Sequence, residues 1–465
     1  MILIFASSII WVVVLINLIS WLYLWQLKEY RPDRLLVHLT GLSRREITNL
    51  YFFGHFRSHF RPTFRAAAIF LLSVGFLIWP LFFGVNERRL FALGLLNWLF
   101  LPILISPIVI LTSIPTALVR RLIVKAATEK MKRLKEMTVI GITGSYGKTT
   151  TKEFLAQILS RHFPTIWTEG TVNTLLGIAL TILRDVKGNE RYFIVEMGAY
   201  RKGEISEICQ MVKPKIGIIT GLNQQHLALF GNFENLLAAK YELIESLPSD
   251  GIAYFNGENE DCVKLGERTK VRKALYKNNN EFKLPAIIPD FLRLNFSAAT
   301  IVSKDLGVDD SLINKAAAEL KLPKTAPIIR RGIKGAKIID NGFSANPDGF
   351  FAVLTFLNNQ PEKNKILVTP GMIELGSVGD RIHREIGRRA AEICREVFVT
   401  RSESFRPLVD GWQSGGGMPD KIYCQTNYDR LIMELKNRLN GDTVLLIEGR
   451  IAKAVIAALT LEDDS

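Results

Sequence analysis

The stretch that decides the fold is Gly141–Thr151, which reads GITGSYGKTTT. It follows the apolar run Met137–Ile140 and opens a helical pattern that continues to Leu159. A glycine loop between a strand and a helix is the setting in which backbone N–H groups wrap a polyphosphate. The match to the general P-loop is imperfect, because that motif places its first glycine where Ile142 stands. The Lys-Thr pair after the last glycine nevertheless favours a nucleotide-binding loop over an ordinary turn.

The loop residues have separate predicted roles. Gly144 and Gly147 let the backbone approach a phosphate without interference from a Cβ atom. Lys148 would reach the terminal phosphates, and the Thr149 hydroxyl would ligate Mg²⁺. The residues expected to contact the nucleotide here are Gly144, Ser145, Tyr146, Gly147, Lys148, Thr149 and Thr150.

Positive charge is concentrated near the N-terminus. The chain of 465 residues carries a net charge of +14, of which residues 1–136 hold +11, from 17 Lys and Arg against 6 Asp and Glu. The remainder is nearly balanced, at +3. A uniformly basic nucleic-acid-binding protein would not have this distribution, and we expect no nucleic-acid partner.

Three apolar runs lie in the basic segment, at about 2–25, 66–84 and 90–118. Each is near or above the ~20 residues that a helix needs to cross a bilayer. The first run lacks a basic n-region and a clear cleavage site, so an uncleaved anchor is favoured over a signal peptide. Buried helices of a soluble domain are the alternative, but these runs are apolar on all sides. We therefore predict three transmembrane helices within residues 1–136.

Basic residues flank these runs unequally. The loop 27–65 and the segment 119–136 are both rich in Lys and Arg, whereas the loop between the second and third runs holds only Arg88 and Arg89. The positive-inside rule then places the N-terminus outside and both basic segments in the cytoplasm. This predicts a multi-pass protein of the cytoplasmic membrane whose nucleotide-binding loop faces the cytoplasm, where ATP is.

From Met137 onward, short apolar runs alternate with helical patterns, which is typical of a mostly parallel α/β sheet. The predicted strands are 138–142, 193–196, 216–220 and 252–255, and, after a linker at 321–327, 336–339, 366–369, 397–400 and 444–447. We predict an α/β chain with a P-loop-type ATPase domain at 137–325. A smaller Rossmann-like α/β domain follows at 326–465, and both come after an α-helical transmembrane segment.

Polar residues at predicted strand ends are candidates for chemistry. Glu196 ends an apolar strand, and a carboxylate there points into the crevice where ligands bind, which makes it a candidate Mg²⁺ ligand or a plain surface residue. His226 follows the next strand, although a lone histidine is more often structural. Lys240 lies on a helix rich in Leu and Ala, where its spacing indicates only a surface lysine. Asp340–Pro347 suits either a ribose contact or a backbone turn.

Together these segments resemble the Mur ligase family, and within it the MurF branch, which adds D-alanyl-D-alanine to the cell-wall precursor peptide. Thr143–Glu153 is similar to that branch's P-loop almost letter for letter. Thr168–Thr174 resembles its asparagine-rich turn, with one of three asparagines kept. The further matching segments, in the family's order, are Glu196–Ala199, His226–Gly231, Asp340–Pro347 and Thr369–Gly376.

The resemblance implies an ATP-dependent, ADP-forming ligase that makes an amide through an acyl phosphate. The implied substrates are a peptidoglycan precursor, UDP-linked or lipid-linked, and an amino acid or dipeptide. Lys148, His226 and Lys240 are the implied catalytic residues.

The resemblance also implies two Mg²⁺ ions. Thr149 and Glu196 would hold one ion, and His226 with a carbamylated Lys240 would hold the other. The implied further contacts to the nucleotide are Asn295, Asp340 and Asn346.

Some family features are missing. The domain that holds the UDP-sugar has no counterpart, and the usual Lys-Gly-Ser-Arg near the C-terminus reads Ile447–Arg450, with an acidic Glu448. Glu448 could alter recognition of the acceptor or simply lie at the rim of the site. Two alternatives therefore stay open: a membrane-anchored ATP-binding scaffold of wall synthesis without ligase activity, and a related amino-acid ligase of the folylpolyglutamate or cyanophycin kind.

Overall fold

The structure is a computed structural model that describes residues 2–40, 48, 63–223, 227–285, 288–342, 346–372, 375 and 378–461. The chain forms two compact units, Met1–Ile123 and Val124–Ser465. The end of the helix Glu87–Arg133 belongs to the second unit, within which the Lys130 Nζ donates to the carbonyl oxygen of Ile182 at 2.9 Å.

The first unit is helical. Its helices are Ile2–Leu27, Pro32–Thr40, Phe64–Ile78 and the part of Glu87–Arg133 up to Ile123, with a 3₁₀ helix at Trp79–Phe83. The interior of this unit is built from Leu18, Leu22, Ile69, Leu101 and Ile105, all of which are buried. The helix Glu87–Arg133 is continuous, although three prolines lie within it.

Apolar side chains also cover the outside of the first unit. Leu3–Leu27 and Glu87–Arg133 are long and apolar enough to cross a membrane, and only 28% and 22% of their most apolar windows are buried. A helix of a soluble protein would instead expose a polar face to water. These two helices indicate membrane association, and they coincide with the runs predicted at 2–25 and 90–118. The run predicted at 66–84 is a 15-residue helix, Phe64–Ile78, followed by the 3₁₀ turn.

A parallel six-stranded sheet forms the first half of the second unit, in the order β2-β3-β1-β4-β5-β6. Its strands are β1 (Thr138–Thr143), β2 (Thr165–Trp167), β3 (Tyr192–Glu196), β4 (Ile216–Ile219), β5 (Ile252–Asn256) and β6 (Arg272–Tyr276). Its helices are Lys148–Leu159, Leu175–Asp185, Glu204–Val212, Leu227–Phe230, Phe233–Glu245, Glu260–Glu267, Arg293–Asp305 and Asp310–Ala318, with a 3₁₀ turn at Asp290–Leu292. Because β1 lies between β3 and β4, the carboxyl ends of these three strands meet at one edge of the sheet.

The second half contains another six-stranded sheet, in the order β11-β10-β9-β12-β8-β7. Its strands are β7 (Ile328–Arg331), β8 (Lys337–Asn341), β9 (Asn364–Thr369), β10 (Glu396–Val399), β11 (Ile422–Cys424) and β12 (Thr443–Glu448). Only β7 is antiparallel to its neighbour. The helices are Pro347–Asn358, Gly379–Ile393, Ser402–Ser414, Tyr428–Arg438 and Lys453–Leu459, with 3₁₀ turns at Ile333–Gly335 and Pro419–Lys421. The predicted fold class is confirmed.

The eight predicted strands all exist, and the four that the sequence did not reveal are sheet-edge strands. β2 and β11 have three residues each, and β6 and β7 carry two adjacent basic residues each and are largely exposed. A central parallel strand is buried on both faces and is therefore apolar throughout, whereas an edge strand gives no such signal.

The helices Gly379–Ile393 and Ser402–Ser414 pack backbone against backbone. A Cβ atom at Gly411 would fall on the carbonyl oxygen of Arg384, and one at Gly387 would fall on that of Leu408. The contact leaves no room for a methyl group on either side, since the opposing atoms belong to a helix backbone. Glycine at these two positions thus fixes how closely the pair packs.

We expect Gly411→Ala to destabilise the second unit by about 1–3 kcal/mol, because the two helices must move apart to admit the methyl group. Gly441→Ala is the matched control, since nothing lies within 4 Å of a Cβ there. Thermal unfolding of both variants in detergent checks the prediction. Equal unfolding temperatures would contradict the backbone contact.

Candidate active site

The P-loop joins β1 to the helix that begins at Lys148. Gly144 and Gly147 have φ angles of +150° and +78°, which favour glycine. A Cβ atom at Gly144 would meet Thr220, and one at Gly147 would meet Asn295. The backbone N–H of Ser145 donates to the carbonyl oxygen of Gly221 at 2.7 Å. These contacts fasten the loop to the segment that follows β4 and to the helix Arg293–Asp305.

The Lys148 ammonium is held within the loop. Its Nζ donates to the carbonyl oxygens of Gly144, at 2.8 Å, and of Ser145, at 3.2 Å. Burial lowers the pKa of Lys148, and the nearby Glu196 carboxylate acts in the opposite direction. Lys148 lines the cavity described below, so its charge lies where the predicted phosphates would be.

The Glu196 carboxylate at the end of β3 is the centre of a hydrogen-bond network. The Thr149 hydroxyl donates to Glu196 Oε2 at 2.9 Å, and the Asn173 amide donates to Oε1 at 3.0 Å. The Lys152 ammonium lies 3.3 Å from the same Oε2. Glu196 is 1% exposed, so the carboxylate is fixed by protein donors and not by solvent.

A cavity of about 550 Å³ opens above the P-loop. Its polar wall contains Lys148, Thr149, Asn173, Glu196 and Asn295, and the Thr151 hydroxyl donates to Asn295 Oδ1 at 3.3 Å. The apolar wall consists of Phe291, Leu292, Leu294 and Ala352. One cavity thus offers apolar side chains for a base and donors for phosphates, which fits a nucleoside polyphosphate.

The second sheet contributes to the same cavity. Asn346 caps the helix Pro347–Asn358 by accepting from the N–H of Gly349 at 3.0 Å, and it lines the cavity with Asp348. The Asn223 amide donates to Asp348 at 2.9 Å and to Asn346 at 3.3 Å. Burial raises the pKa of Asp348. Asn223 therefore links the end of β4 to the C-terminal domain beside the cavity.

Lys240 is brought to the P-loop, although its spacing predicted only a surface position. It is 5% exposed, and it lines a small pocket of about 50 Å³ together with Gly144, Ser145 and Lys148. Burial lowers the pKa of Lys240 to about 7, and the charge of Lys148 acts in the same direction. About half of an amine with this pKa is uncharged at neutral pH, and the uncharged form is nucleophilic.

Two site residues predicted from the sequence, His226 and Asp340, have a different outcome from the others. His226 lies outside the described residues, as do Phe343–Ala345 of the Asp340–Pro347 segment. Asp340 does not line the nucleotide-sized cavity. It pairs with Arg330 at 3.4 Å and faces a separate depression of about 640 Å³ that Arg450 also lines.

Glu448 is not at the rim. It is fully buried at the end of β12, and its Oε2 accepts from the Asn341 amide at 2.6 Å. Burial raises the pKa of Glu448 to about 8. Glu448 therefore contacts the side chain of a residue that lines the cavity, since Asn341 is part of the cavity wall.

The residues at the P-loop fit one Mg²⁺ ion. Thr149 and Glu196 supply hydroxyl and carboxylate oxygens, the ligands that Mg²⁺ prefers, and it commonly takes its remaining ligands from phosphates and water. Within the described ranges, no three His, Cys, Asp or Glu side chains gather into a metal cluster. Lys152, Asn173 and Asn223 are site residues that sequence reasoning did not assign. The position of Asn223, just beyond a central strand, was the available signal.

Two family models match the second unit. Residues 142–308 match the Mur ligase middle domain, and residues 328–450 match the Mur ligase glutamate ligase domain. This chain belongs to the Mur ligase family. It is accordingly an ATP-dependent, ADP-forming ligase, and ATP and Mg²⁺ are the cofactors of that family.

Several relatives are similar over the same part of the family fold. The UDP-N-acetylmuramoyl-tripeptide–D-alanyl-D-alanine ligase of Rickettsia prowazekii is 28% identical over 67% of this chain and 74% of its own length. The Escherichia coli enzyme of the same name is 27% identical over 64% and 71%. The MurF ligase of Thermotoga maritima in complex with ADP has a TM-score of 0.61 at 26% identity, covering 72% of this chain and 81% of that one. MurF from Acinetobacter baumannii has a TM-score of 0.66 at 22% identity, covering 73% and 80%.

Proposed function

We propose that this protein joins the terminal carboxyl group of a peptidoglycan-precursor peptide to the amino group of D-alanyl-D-alanine or a similar amine, at the cost of one ATP. The observation that carries the proposal is the convergence of Lys148, Thr149, Glu196 and Lys240 at the P-loop. The names and substrates of the similar ligases support the choice of peptide and dipeptide.

In the first step, a carboxylate oxygen of the peptide attacks the γ-phosphorus of ATP, and the bond from that phosphorus to the β-phosphate oxygen breaks. ADP leaves, and an acyl phosphate remains. Lys148 stabilises negative charge on the transferring group, because its ammonium is fixed at the loop before the reaction begins. Thr149 and Glu196 would hold Mg²⁺, which supplies charge neutralisation at the phosphates.

In the second step, the uncharged amine of the dipeptide attacks the acyl carbon and phosphate leaves, so that an amide forms and the nitrogen loses a proton. The C-terminal domain borders the cavity through Asn346 and Asp348 and is suited to bring the amine to the acyl phosphate. Asn223 supports this placement, since it binds both side chains from the P-loop side.

Lys240 is proposed to react with CO₂ and become a carbamate. The reaction requires an uncharged amine, and the pKa of about 7 provides one at neutral pH. Lys148 disfavours the ammonium form of Lys240 but would attract the carbamate anion. The carbamate, with His226, would then hold the second Mg²⁺ ion that the family resemblance implies. Asn295 and Asn346 are proposed to contact the nucleotide, and Asp340 remains a proposed contact only through movement of its domain.

The ligase reaction can be tested with the full chain in detergent, given ATP, UDP-linked muramoyl tripeptide and D-alanyl-D-alanine. We expect a pentapeptide product by mass spectrometry and ADP in equal amount. Lys148→Ala should abolish both, because the phosphoryl group loses its fixed counter-charge. ADP formation that does not depend on the amine would instead favour the non-ligating scaffold, and turnover only with another amine would favour a related ligase.

We expect Lys240→Ala to lose activity and to regain part of it when a short-chain carboxylic acid is added, since the acid replaces the carbamate oxygens. Lys148→Ala, which keeps Lys240, is the control and should not respond to the acid. Initial rates across an acid titration give the measurement. No recovery in Lys240→Ala would count against the carbamate.

The membrane helices are proposed to anchor the enzyme as a multi-pass protein whose catalytic domains face the cytoplasm. The outward-facing apolar surface of the first unit supports the anchor, and the basic residues that flank the apolar runs support the orientation. The anchor would place the ligase near a lipid-linked precursor or a wall-building complex.

This arrangement predicts that the protein stays with the membrane after alkaline carbonate extraction. Carbonate releases proteins that are bound by surface charge, whereas this protein would be held by apolar helices. In intact spheroplasts, a C-terminal epitope should resist added protease, and it should be cleaved after lysis. A periplasmic protein of the same cells serves as the control. Release by carbonate, or cleavage before lysis, would refute the anchor or the orientation.

A further inference from the structure

A second lysine lies behind the P-loop and has no role in the reaction described above. Lys152 is one turn beyond Lys148 on the same helix, and its side chain is completely buried. Its Nζ contacts the carbonyl oxygen of Gly170, Glu196 Oε2 at 3.3 Å and Glu153 Oε1 at 3.5 Å. Burying an ammonium group is unfavourable unless it is paired, so this placement calls for an explanation.

The pairing with Glu196 is the most buried ion pair at the site. The side chains of Lys152 and Glu196 are 0% and 2% exposed, whereas that of Glu153 is 21% exposed. Lys148 does not form the ion pair with Glu196 in the structure, because its Nζ donates to loop carbonyl oxygens. Lys152 therefore neutralises the carboxylate to which we assigned one Mg²⁺ ion.

Both oxygens of that carboxylate already have donors. Oε2 receives Thr149 and Lys152, and Oε1 receives Asn173. Among the residues that the structure describes, a metal ion that approaches without a nucleotide would find the Thr149 hydroxyl and the two oxygens of Glu196, one of which already accepts from an ammonium group. Mg²⁺ gives up its bound water reluctantly. A small set of ligands with little net negative charge does not offset the free energy lost when that water leaves.

We propose that Lys152 is the permanent counter-ion of Glu196, and that it keeps free divalent cations from binding there, so that the metal enters and leaves only together with the nucleotide. This inference rests on the proposed role of Glu196 as a metal ligand. Phosphate oxygens add the negative charge and the ligands that the protein alone lacks. Lys152 is thus a positioning residue, since it acts through Glu196 and does not line the cavity.

The test uses Mn²⁺ as the probe and the full chain in detergent. Lys152→Gln removes the charge but keeps a hydrogen-bond donor near Gly170 and Glu196. We expect nucleotide-free Lys152→Gln to bind Mn²⁺ on the order of tenfold more tightly than the unmodified protein, by electron paramagnetic resonance titration. Lys152→Arg keeps the charge and should bind as weakly as the unmodified protein. Glu153→Gln removes the other acid and should also show no gain.

Each outcome decides a separate point. Equal Mn²⁺ affinity in Lys152→Gln and the unmodified protein would overturn the inference, and so would a gain that persists in the double variant Lys152→Gln/Glu196→Gln. If Lys152→Gln does not fold, the unmodified protein still provides a test, because tight Mn²⁺ binding without ADP would overturn the inference. Glu196→Gln separates the two proposals: if it binds Mn²⁺ with ADP normally, the role of Glu196 in the proposed function fails.

Discussion

The site depends on one hydrogen bond, between the Thr149 hydroxyl and the Glu196 carboxylate. It joins the first turn of the P-loop helix to the end of β3, the strand that pairs with β1. Because parallel strands bring their carboxyl ends to one edge, neither residue has to leave its regular element to reach the other. Two further side chains reach the same carboxylate: the Asn173 amide donates to Oε1, and the Lys152 ammonium lies 3.3 Å from Oε2.

The features that could be predicted from the sequence are those that local residue patterns determine. The central strands are apolar because the sheet covers them on both faces, and the glycine loop requires backbone angles that few other residues adopt. Glu196 was found because it ends such a strand. Lys152 and Asn223 were missed because their partners are 44 and 125 residues away in the chain. Lys240 on spacing alone looked like a surface residue, and only the family resemblance selected it.

Glu448 lies deeper than its place in the family pattern suggested. An acidic residue in place of a basic one suggested either altered recognition of the acceptor or a position at the rim. The structure buries it behind Asn341, where burial raises its pKa to about 8. In the first unit, by contrast, apolar side chains lie on the outside, and the apolar runs that form its long helices are visible in the sequence.

Asn223 connects the C-terminal domain to the segment that follows β4. Its amide group supplies two hydrogen bonds beside the cavity, to Asp348 and Asn346, and a bond of this kind contributes only about 1 kcal/mol net. One side chain thereby relates two walls of the cavity, since Asn223 stands two residues beyond Gly221, whose carbonyl oxygen accepts from the P-loop. A change of shape in the loop is thus felt at once by the C-terminal wall that would present the amine.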